Sequence, residues 1–106
     1  MGKEIKYDKL VRDKIPQIIE DDGKDYTIHT ADDKEYVSKL YAKALEELDE
    51  FKENPTAEEM ADLFEVLDGL MSFYDLDSEE IEFIKKEKRE NRGGFEGRII
   101  LENVSG

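Results

Sequence analysis

Apolar residues recur three or four positions apart through the middle of the chain, the spacing that places them on one face of an α-helix. A first run predicts a long helix from Thr30 to Asn54, and its apolar positions are Val37, Leu40, Tyr41, Ala44, Leu48 and Phe51. A second run follows Pro55, with Met60, Leu63, Phe64, Leu67, Leu70, Met71 and Tyr74. Because Asn54-Pro55 separates the runs and Thr56-x-x-Glu59 matches a capping box, the pattern predicts a helical hairpin.

The flanking segments predict shorter elements. Residues 7–22 carry a short helical pattern that Gly23 would end, and residues 78–91 read as a further helix with a basic end. Residues 26–28 alternate like a strand, and residues 98–101 read as a second strand that could pair with them. The chain is therefore expected to be mainly all-α, a helical hairpin or bundle with a small accessory β pairing.

The second helix of the hairpin is apolar on more than one face, because Val66 and Phe73 widen its main stripe. Such a helix is usually enclosed on several sides. At 106 residues the chain is expected to form one domain, 1–106, whose core is small for its surface. Part of the covering is therefore expected from a second copy, in a homodimer or higher homo-oligomer.

Charge and composition limit the kinds of molecule that the protein can bind and the chemistry that it can perform. The formal net charge of −13 disfavours binding to a nucleic acid polymer or an acidic membrane surface. The chain has no cysteine, which excludes disulfides and thiol chemistry. Because no apolar run is long enough to span a membrane and no signal peptide begins the sequence, a cytoplasmic location is expected.

Two acidic pairs flank the apolar stripes of the hairpin. Glu47 and Glu50 lie on one side of the first stripe, and Glu59 and Asp62 lie on one side of the second. Converging carboxylates repel one another unless a cation lies between them, and oxygen ligands without His or Cys favour Mg²⁺, or Mn²⁺, over zinc. Plainer interpretations remain open: a solvated face, a capping role for Glu59, and a favourable helix-end charge for Asp62.

The same motifs resemble those of a known family. E-E-x-x-E at 46–50 followed by E-x-x-D at 59–62, inside apolar helices, is similar to the all-α nucleotide pyrophosphohydrolases of the MazG-like superfamily. YDKLVRDKIPQII at 7–19 and the stretch at 88–101 resemble its short branch, often labelled phosphoribosyl-ATP pyrophosphohydrolase-like. The resemblance covers nearly the whole chain.

The resemblance implies a magnesium-dependent enzyme that cleaves a nucleoside triphosphate, or a related nucleotide, between the α and β phosphates, releasing a monophosphate and pyrophosphate. It implies a role in clearing surplus or non-standard nucleotides. The implied metal ligands are Glu47, Glu50, Glu59 and Asp62. Glu46 would be an additional ligand or the base, which makes Glu46, Glu47 and Glu50 the candidate catalytic residues.

Basic residues near the two ends of the chain are candidates for binding the nucleotide substrate. They are Lys9, Arg12, Lys14, Lys86, Arg89 and Arg92. Arginine and lysine suit phosphate oxygens because they form charge-assisted hydrogen bonds. The alternative is that those near a helix end complement the helix dipole.

Two other functions compete with the enzyme. The chain is alternatively a non-catalytic acidic helical module that binds a basic protein, or an inactive member of the family. A divalent-cation buffer is a further alternative, and that function would not need the basic residues.

Overall fold

The protein is mainly α-helical, as predicted. A computed structural model describes residues 5–106, and within that range it contains four helices and no strand. The helices are α1 (Ile15–Asp21), α2 (Asp33–Glu53), α3 (Ala57–Phe73) and α4 (Ser78–Arg92). Within residues 5–106, one compact unit ends at Tyr74 and includes α1 to α3, and a second spans Asp75–Gly106 and includes α4. The single domain expected from chain length stays a prediction.

Side-chain caps define where the two long helices begin. The Asp32 carboxylate accepts a hydrogen bond of 2.8 Å from the Glu35 backbone N–H, so α2 begins after Asp32 rather than at Thr30. An aspartate side chain satisfies one of the free N–H groups of a first helical turn. Half of the predicted capping box of α3 forms, since Thr56 Oγ1 accepts from the Glu59 N–H at 3.2 Å.

The two helices form the predicted antiparallel hairpin. Near the start of α2, the Tyr36 ring meets the Phe73 ring at the end of α3, with centroids 5.8 Å apart in an edge arrangement. One turn further, the hydroxyls of Tyr41 and Tyr74 are hydrogen-bonded at 2.8 Å. The opposite ends of α2 and α3 are joined by the short turn at Asn54-Pro55.

The hairpin core is small and closely packed. Leu40 and Val66 are its buried apolar side chains. At Gly69 a β-carbon would lie 2.9 Å from Leu40 Cδ2, so any larger residue there would force the buried Leu40 side chain to move. Interiors are packed to a density at which one extra carbon forces its neighbours to move.

A broad apolar surface remains exposed on the same two helices. On α2, Leu45 is 65% exposed and Leu48 is 50% exposed, and on α3 Phe64 is 59% exposed. Tyr41 and Leu67 extend this surface. We call these five residues the apolar face of the hairpin. None of the helices in residues 5–106 combines the length and apolar character needed to cross a membrane.

α1 is shorter than the pattern over residues 7–22 predicted. It begins only at Ile15, with Pro16 in its first turn, because proline lacks the N–H that a helix interior requires. Gly23, with φ of +76°, follows the helix as predicted. Residues 7–14 precede the helix and are free to place their side chains elsewhere.

The predicted accessory strands do not form in the described chain. Residues 26–28 and 98–101 are both irregular. Ile99 and Leu101 are largely exposed, and Arg98 adopts a φ of +55°, which interrupts extended backbone. A lone extended segment leaves its N–H and C=O groups without a ladder, so neither segment is stable as a strand by itself.

The second compact unit is built on α4. The Asp77 side chain accepts a hydrogen bond from the Glu79 N–H at 3.0 Å and so caps the start of this helix. Gly93 ends the helix with a φ of +83°. Beyond it, Arg89 donates a hydrogen bond of 2.6 Å to Glu96 and so lowers the pKa of that carboxyl.

Candidate metal centre

Three of the four predicted metal ligands meet between α2 and α3. One carboxylate oxygen from each of Glu47, Glu50 and Glu59 lies within 4.8 Å of those from the other two. We call these three residues the glutamate cluster. Glu47 and Glu50 are one helical turn apart on α2, and Glu59 lies in the first turn of α3. The cluster therefore exists because the short turn brings the end of one helix to the start of the next.

Two oxygens of the cluster are buried without a partner. Glu47 is only 6% exposed, and its Oε2 makes no hydrogen bond within residues 5–106. Glu59 Oε2 is buried in the same way. Lys43 Nζ lies 3.5 Å from the other oxygen of Glu47 and offsets part of its charge. A buried carboxylate oxygen without a donor is costly, so the arrangement favours a cation at this point.

The surroundings favour protonation when no cation is present. Burial, and then the negative charge of Glu50, raises the pKa of Glu47 above its ordinary value of 4.5, while Lys43 acts in the opposite direction. Burial also raises the pKa of Glu59, followed by the charges of Glu50 and Asp62. Both shifts have the causes expected of converging carboxylates in a partly dry site.

The Glu59 side chain does not cap α3, which was the plainer interpretation of its position. In a full capping box the glutamate side chain would accept from the Thr56 backbone N–H. That N–H instead donates to the Asn54 carbonyl at 2.8 Å. Only the backbone of Glu59 takes part in the cap, and its carboxylate is left to face the cluster.

Asp62 lies beside the cluster and is already paired. Its carboxylate accepts a hydrogen bond of 2.8 Å from Arg12, whose guanidinium also lies 4.0 Å from Glu65. Asp62 still influences the cluster, since its charge helps raise the pKa values of Glu47 and Glu59. The fourth predicted ligand is thus near the cluster and held by a predicted substrate-binding residue.

The Glu46 carboxylate is paired with Lys9, just as Asp62 is paired with Arg12 of the same N-terminal segment. Lys9 Nζ donates to it at 3.2 Å, and Lys43 Nζ lies 3.9 Å from the same oxygen. The half-buried Glu46 carboxylate is therefore outside the glutamate cluster. Two of the predicted substrate-binding residues, Lys9 and Arg12, reach the predicted acidic residues from a segment about 40 to 50 positions away.

The other predicted substrate-binding residues are placed differently. Lys14 is the residue before α1 and makes no side-chain cap bond. Lys86, Arg89 and Arg92 belong to the second compact unit, where Arg89 pairs with Glu96 and Arg92 lies in the last turn of α4. The last-turn positions of Arg89 and Arg92 fit the helix-dipole alternative.

Lys39 and Lys43 are site residues that the sequence reasoning missed. They precede Glu47 by eight and four positions, so they lie on the same face of α2. That spacing was visible in the sequence and could have identified them. Lys39 Nζ donates to the backbone carbonyl of Asp8 at 2.6 Å, so this face also anchors the N-terminal segment.

The donor set fits a hard divalent cation. All three members of the cluster are carboxylates, which suit Mg²⁺ and Mn²⁺, and no softer ligand lies among them. Two oxygens bound to one Mg²⁺ are at most about 4.2 Å apart, because each bond is about 2.1 Å. Comparison of the chain with protein family models, curated proteins and solved structures found no match.

Proposed function

We propose that the protein is a magnesium-dependent nucleotide pyrophosphohydrolase of the MazG-like superfamily, in its short phosphoribosyl-ATP pyrophosphohydrolase-like branch. The proposed reaction consumes one water and one nucleoside triphosphate, or related nucleotide, and yields a monophosphate and pyrophosphate. The proposed setting is the cytoplasm, and the proposed role is removal of surplus or non-standard nucleotides.

One observation carries the proposal. Carboxylates from both acidic motifs, Glu47 and Glu50 from the first and Glu59 from the second, lie within 4.8 Å of one another. Two of their oxygens are buried and receive no hydrogen bond from the residues that the structure describes. A solvated acidic face would leave these groups in water. Convergence together with burial instead supports a cation site at the position the motifs predict.

Each group has a proposed part in the reaction. Glu47, Glu50 and Glu59 would hold the cation, and Asp62 would join them after leaving Arg12. When bound, the cation would polarise the phosphoryl oxygens, lower the pKa of a water molecule and offset charge on the leaving pyrophosphate. Glu46, outside the cluster, would take the proton of the attacking water at its carboxylate.

The basic residues of the N-terminal segment have a complementary part. Lys9 and Arg12 already lie beside Glu46 and Asp62. Once the cation binds Asp62, Arg12 would be available to phosphate oxygens, and Lys9 would become available when Glu46 takes the proton of the water; charge-assisted hydrogen bonds to phosphate are strong. We include Lys14, Lys86, Arg89 and Arg92 as further proposed contacts to the substrate.

We also propose that the working protein is a homo-oligomer. The apolar face of the hairpin supports this, because Leu45, Leu48 and Phe64 are each at least half exposed. Large contiguous apolar surface on a small domain usually marks an interface. In the same assembly the exposed segments at 26–28 and 98–101 would gain the β pairing that each lacks alone.

A pyrophosphate-release assay tests the function. Wild type is incubated with a panel of nucleoside triphosphates and Mg²⁺, alongside Glu50→Gln, Asp62→Asn and the control Asp49→Asn. Asp49 is exposed on α2 and outside the cluster. The proposal expects release that requires Mg²⁺, is lost in Glu50→Gln and Asp62→Asn, and is retained in Asp49→Asn.

Helicity measured by circular dichroism separates loss of function from loss of fold. No release from any nucleotide, with no Mg²⁺-dependent rise in melting temperature, would overturn both the enzyme and the metal site. A Mg²⁺-dependent rise without release would favour the cation buffer.

A further inference from the structure

A small cavity beside the glutamate cluster has a basic lining that the proposed metal site does not use. Its volume is about 130 Å³. The lining residues are Asp8, Lys9, Leu10, Lys39, Ala42, Lys43 and Glu46. The lining contains three lysines and two carboxylates, so the cavity carries more positive than negative charge. This is unusual in a protein whose net charge is −13. The space exceeds that of several water molecules, which is enough for a phosphoryl group.

The lysines and the cluster share one face of α2. Lys39, Lys43 and Glu47 succeed one another at intervals of four residues. At 1.5 Å per residue, Lys43 lies about 6 Å and Lys39 about 12 Å along the helix axis from Glu47. The face therefore changes from acidic to basic over about two turns, a gradient suited to an anion that extends away from a bound cation.

Without a bound cation, Lys43 and Lys9 lie against the carboxylates of Glu46 and Glu47. Lys43 Nζ lies 3.5 Å from Glu47 and 3.9 Å from Glu46, and Lys9 donates to Glu46. A cation at the cluster would withdraw the Glu47 charge from Lys43. Lys43 would then be a half-buried ammonium facing the cavity with less negative charge beside it, which favours binding an anion.

We infer that Lys39 and Lys43 form the subsite for the terminal phosphates of the nucleotide, the part that leaves as pyrophosphate. This inference rests on the proposed function and adds two residues to it. It also sets the order of binding: the anion binds well only after the cation has bound, since Lys43 otherwise lies against the carboxylates of Glu46 and Glu47. The monophosphate part lies outside the cavity.

Calorimetric titration with inorganic pyrophosphate, at fixed free Mg²⁺, tests the subsite without measuring turnover. Wild type is compared with Lys39→Gln, Lys43→Gln, Lys43→Arg and the control Lys34→Gln, an exposed lysine of α2 outside the cavity. We expect Lys39→Gln and Lys43→Gln to weaken pyrophosphate binding by at least about tenfold. Lys43→Arg should retain most of the affinity and Lys34→Gln all of it.

Further titrations separate the possible sources of an effect. Titration of a nucleoside monophosphate should give the same affinity in wild type and in Lys39→Gln, because that part of the ligand does not reach the cavity. Titration of Mg²⁺ alone should be unchanged in Lys39→Gln. Omitting Mg²⁺ should abolish pyrophosphate binding to wild type.

Two results would overturn the inference. One is equal pyrophosphate affinity in wild type and both glutamine variants. The other is no pyrophosphate binding to wild type. If wild type still releases pyrophosphate from nucleotides, the proposed function stands and only the subsite is lost. Absence of Mg²⁺ binding and of release would instead mean that the proposed function itself fails.

Discussion

The Arg12 guanidinium donates a hydrogen bond of 2.8 Å to the Asp62 carboxylate, which joins the segment before α1 to α3. Asp62 is one of the predicted metal ligands, and in this structure its carboxylate is bound by the positively charged Arg12 side chain. Because both side chains are substantially exposed, the pair itself contributes little stability, about 0.2–1 kcal/mol. Its significance lies in the competition between Arg12 and a divalent cation for Asp62.

Arg12→Gln should therefore strengthen Mg²⁺ binding. Removing one positive charge near the site is worth about 1 kcal/mol in a watery environment, or about fivefold in affinity. Calorimetric titration of Mg²⁺ into wild type and Arg12→Gln measures this. Arg92→Gln, a variant of an arginine in the second compact unit, is the control. Weaker Mg²⁺ binding in Arg12→Gln would show that Arg12 positions Asp62 instead of competing for it.

Glu47→Gln should stabilise the metal-free protein at neutral pH. The raised pKa of Glu47 means that burial and the Glu50 charge outweigh the attraction of Lys43. A neutral amide removes that penalty and can donate to Glu50, a gain of about 1 kcal/mol in the free energy of unfolding. Urea unfolding in a chelator measures the gain. The same variant should lose the stabilisation that Mg²⁺ gives wild type, and Asp49→Asn should change neither property.

The stability of metal-free wild type, relative to Glu47→Gln, should fall as pH rises. A carboxyl whose pKa is raised by folding contributes stability below its unfolded value, near 4.5, and that contribution disappears as pH passes through the folded value. The raised pKa of Glu59 has an effect of the same sign, but Glu59 is present in both proteins and its effect largely cancels from this comparison. Unfolding measured between pH 4 and pH 8 checks the direction. A difference that grows in favour of wild type with rising pH would contradict the direction of the Glu47 shift.

Leu45→Glu should weaken self-association. Leu45 is 65% exposed at the centre of the apolar face of the hairpin, and a charge buried there in an interface would lack a partner. We expect sedimentation to show an oligomer for wild type and a dissociation constant raised at least about tenfold in the variant. Ser38→Glu adds the same charge at an exposed polar position of α2 and should have no effect. A monomeric wild type would contradict the proposed assembly.

The local features of the fold could be predicted because they depend on short stretches of sequence. The hairpin follows from apolar spacing and from Asn54-Pro55, and the cap at Thr56 follows from its own side chain. The start of α2 was misplaced at Thr30 because Thr30 and Asp32 are both capping residues, and only the folded backbone selects Asp32. The strands at 26–28 and 98–101 follow from short local patterns, and a local pattern does not supply a partner for their ladders.

Part of the glutamate cluster could also be predicted, because it too depends on short stretches of sequence. Helical spacing placed Glu47 and Glu50 together, and the short turn added Glu59. The pairing of Arg12 with Asp62 spans 50 positions, and no local pattern encodes it. Burial of Glu47 likewise arises from packing between helices and is not visible on a helical wheel. The basic cavity is not predictable from local spacing, because its lining joins Lys39 and Lys43 of α2 to Asp8 and Lys9 of the N-terminal segment.

Phosphorus NMR of a nucleoside triphosphate incubated with wild type and Mg²⁺ identifies the products and therefore the bond that is cleaved. We expect equal growth of monophosphate and pyrophosphate resonances, none without Mg²⁺, and none with Glu50→Gln. Formation of nucleoside diphosphate and orthophosphate would contradict the proposed scissile bond. An unchanged triphosphate spectrum across the whole nucleotide panel would contradict the enzyme.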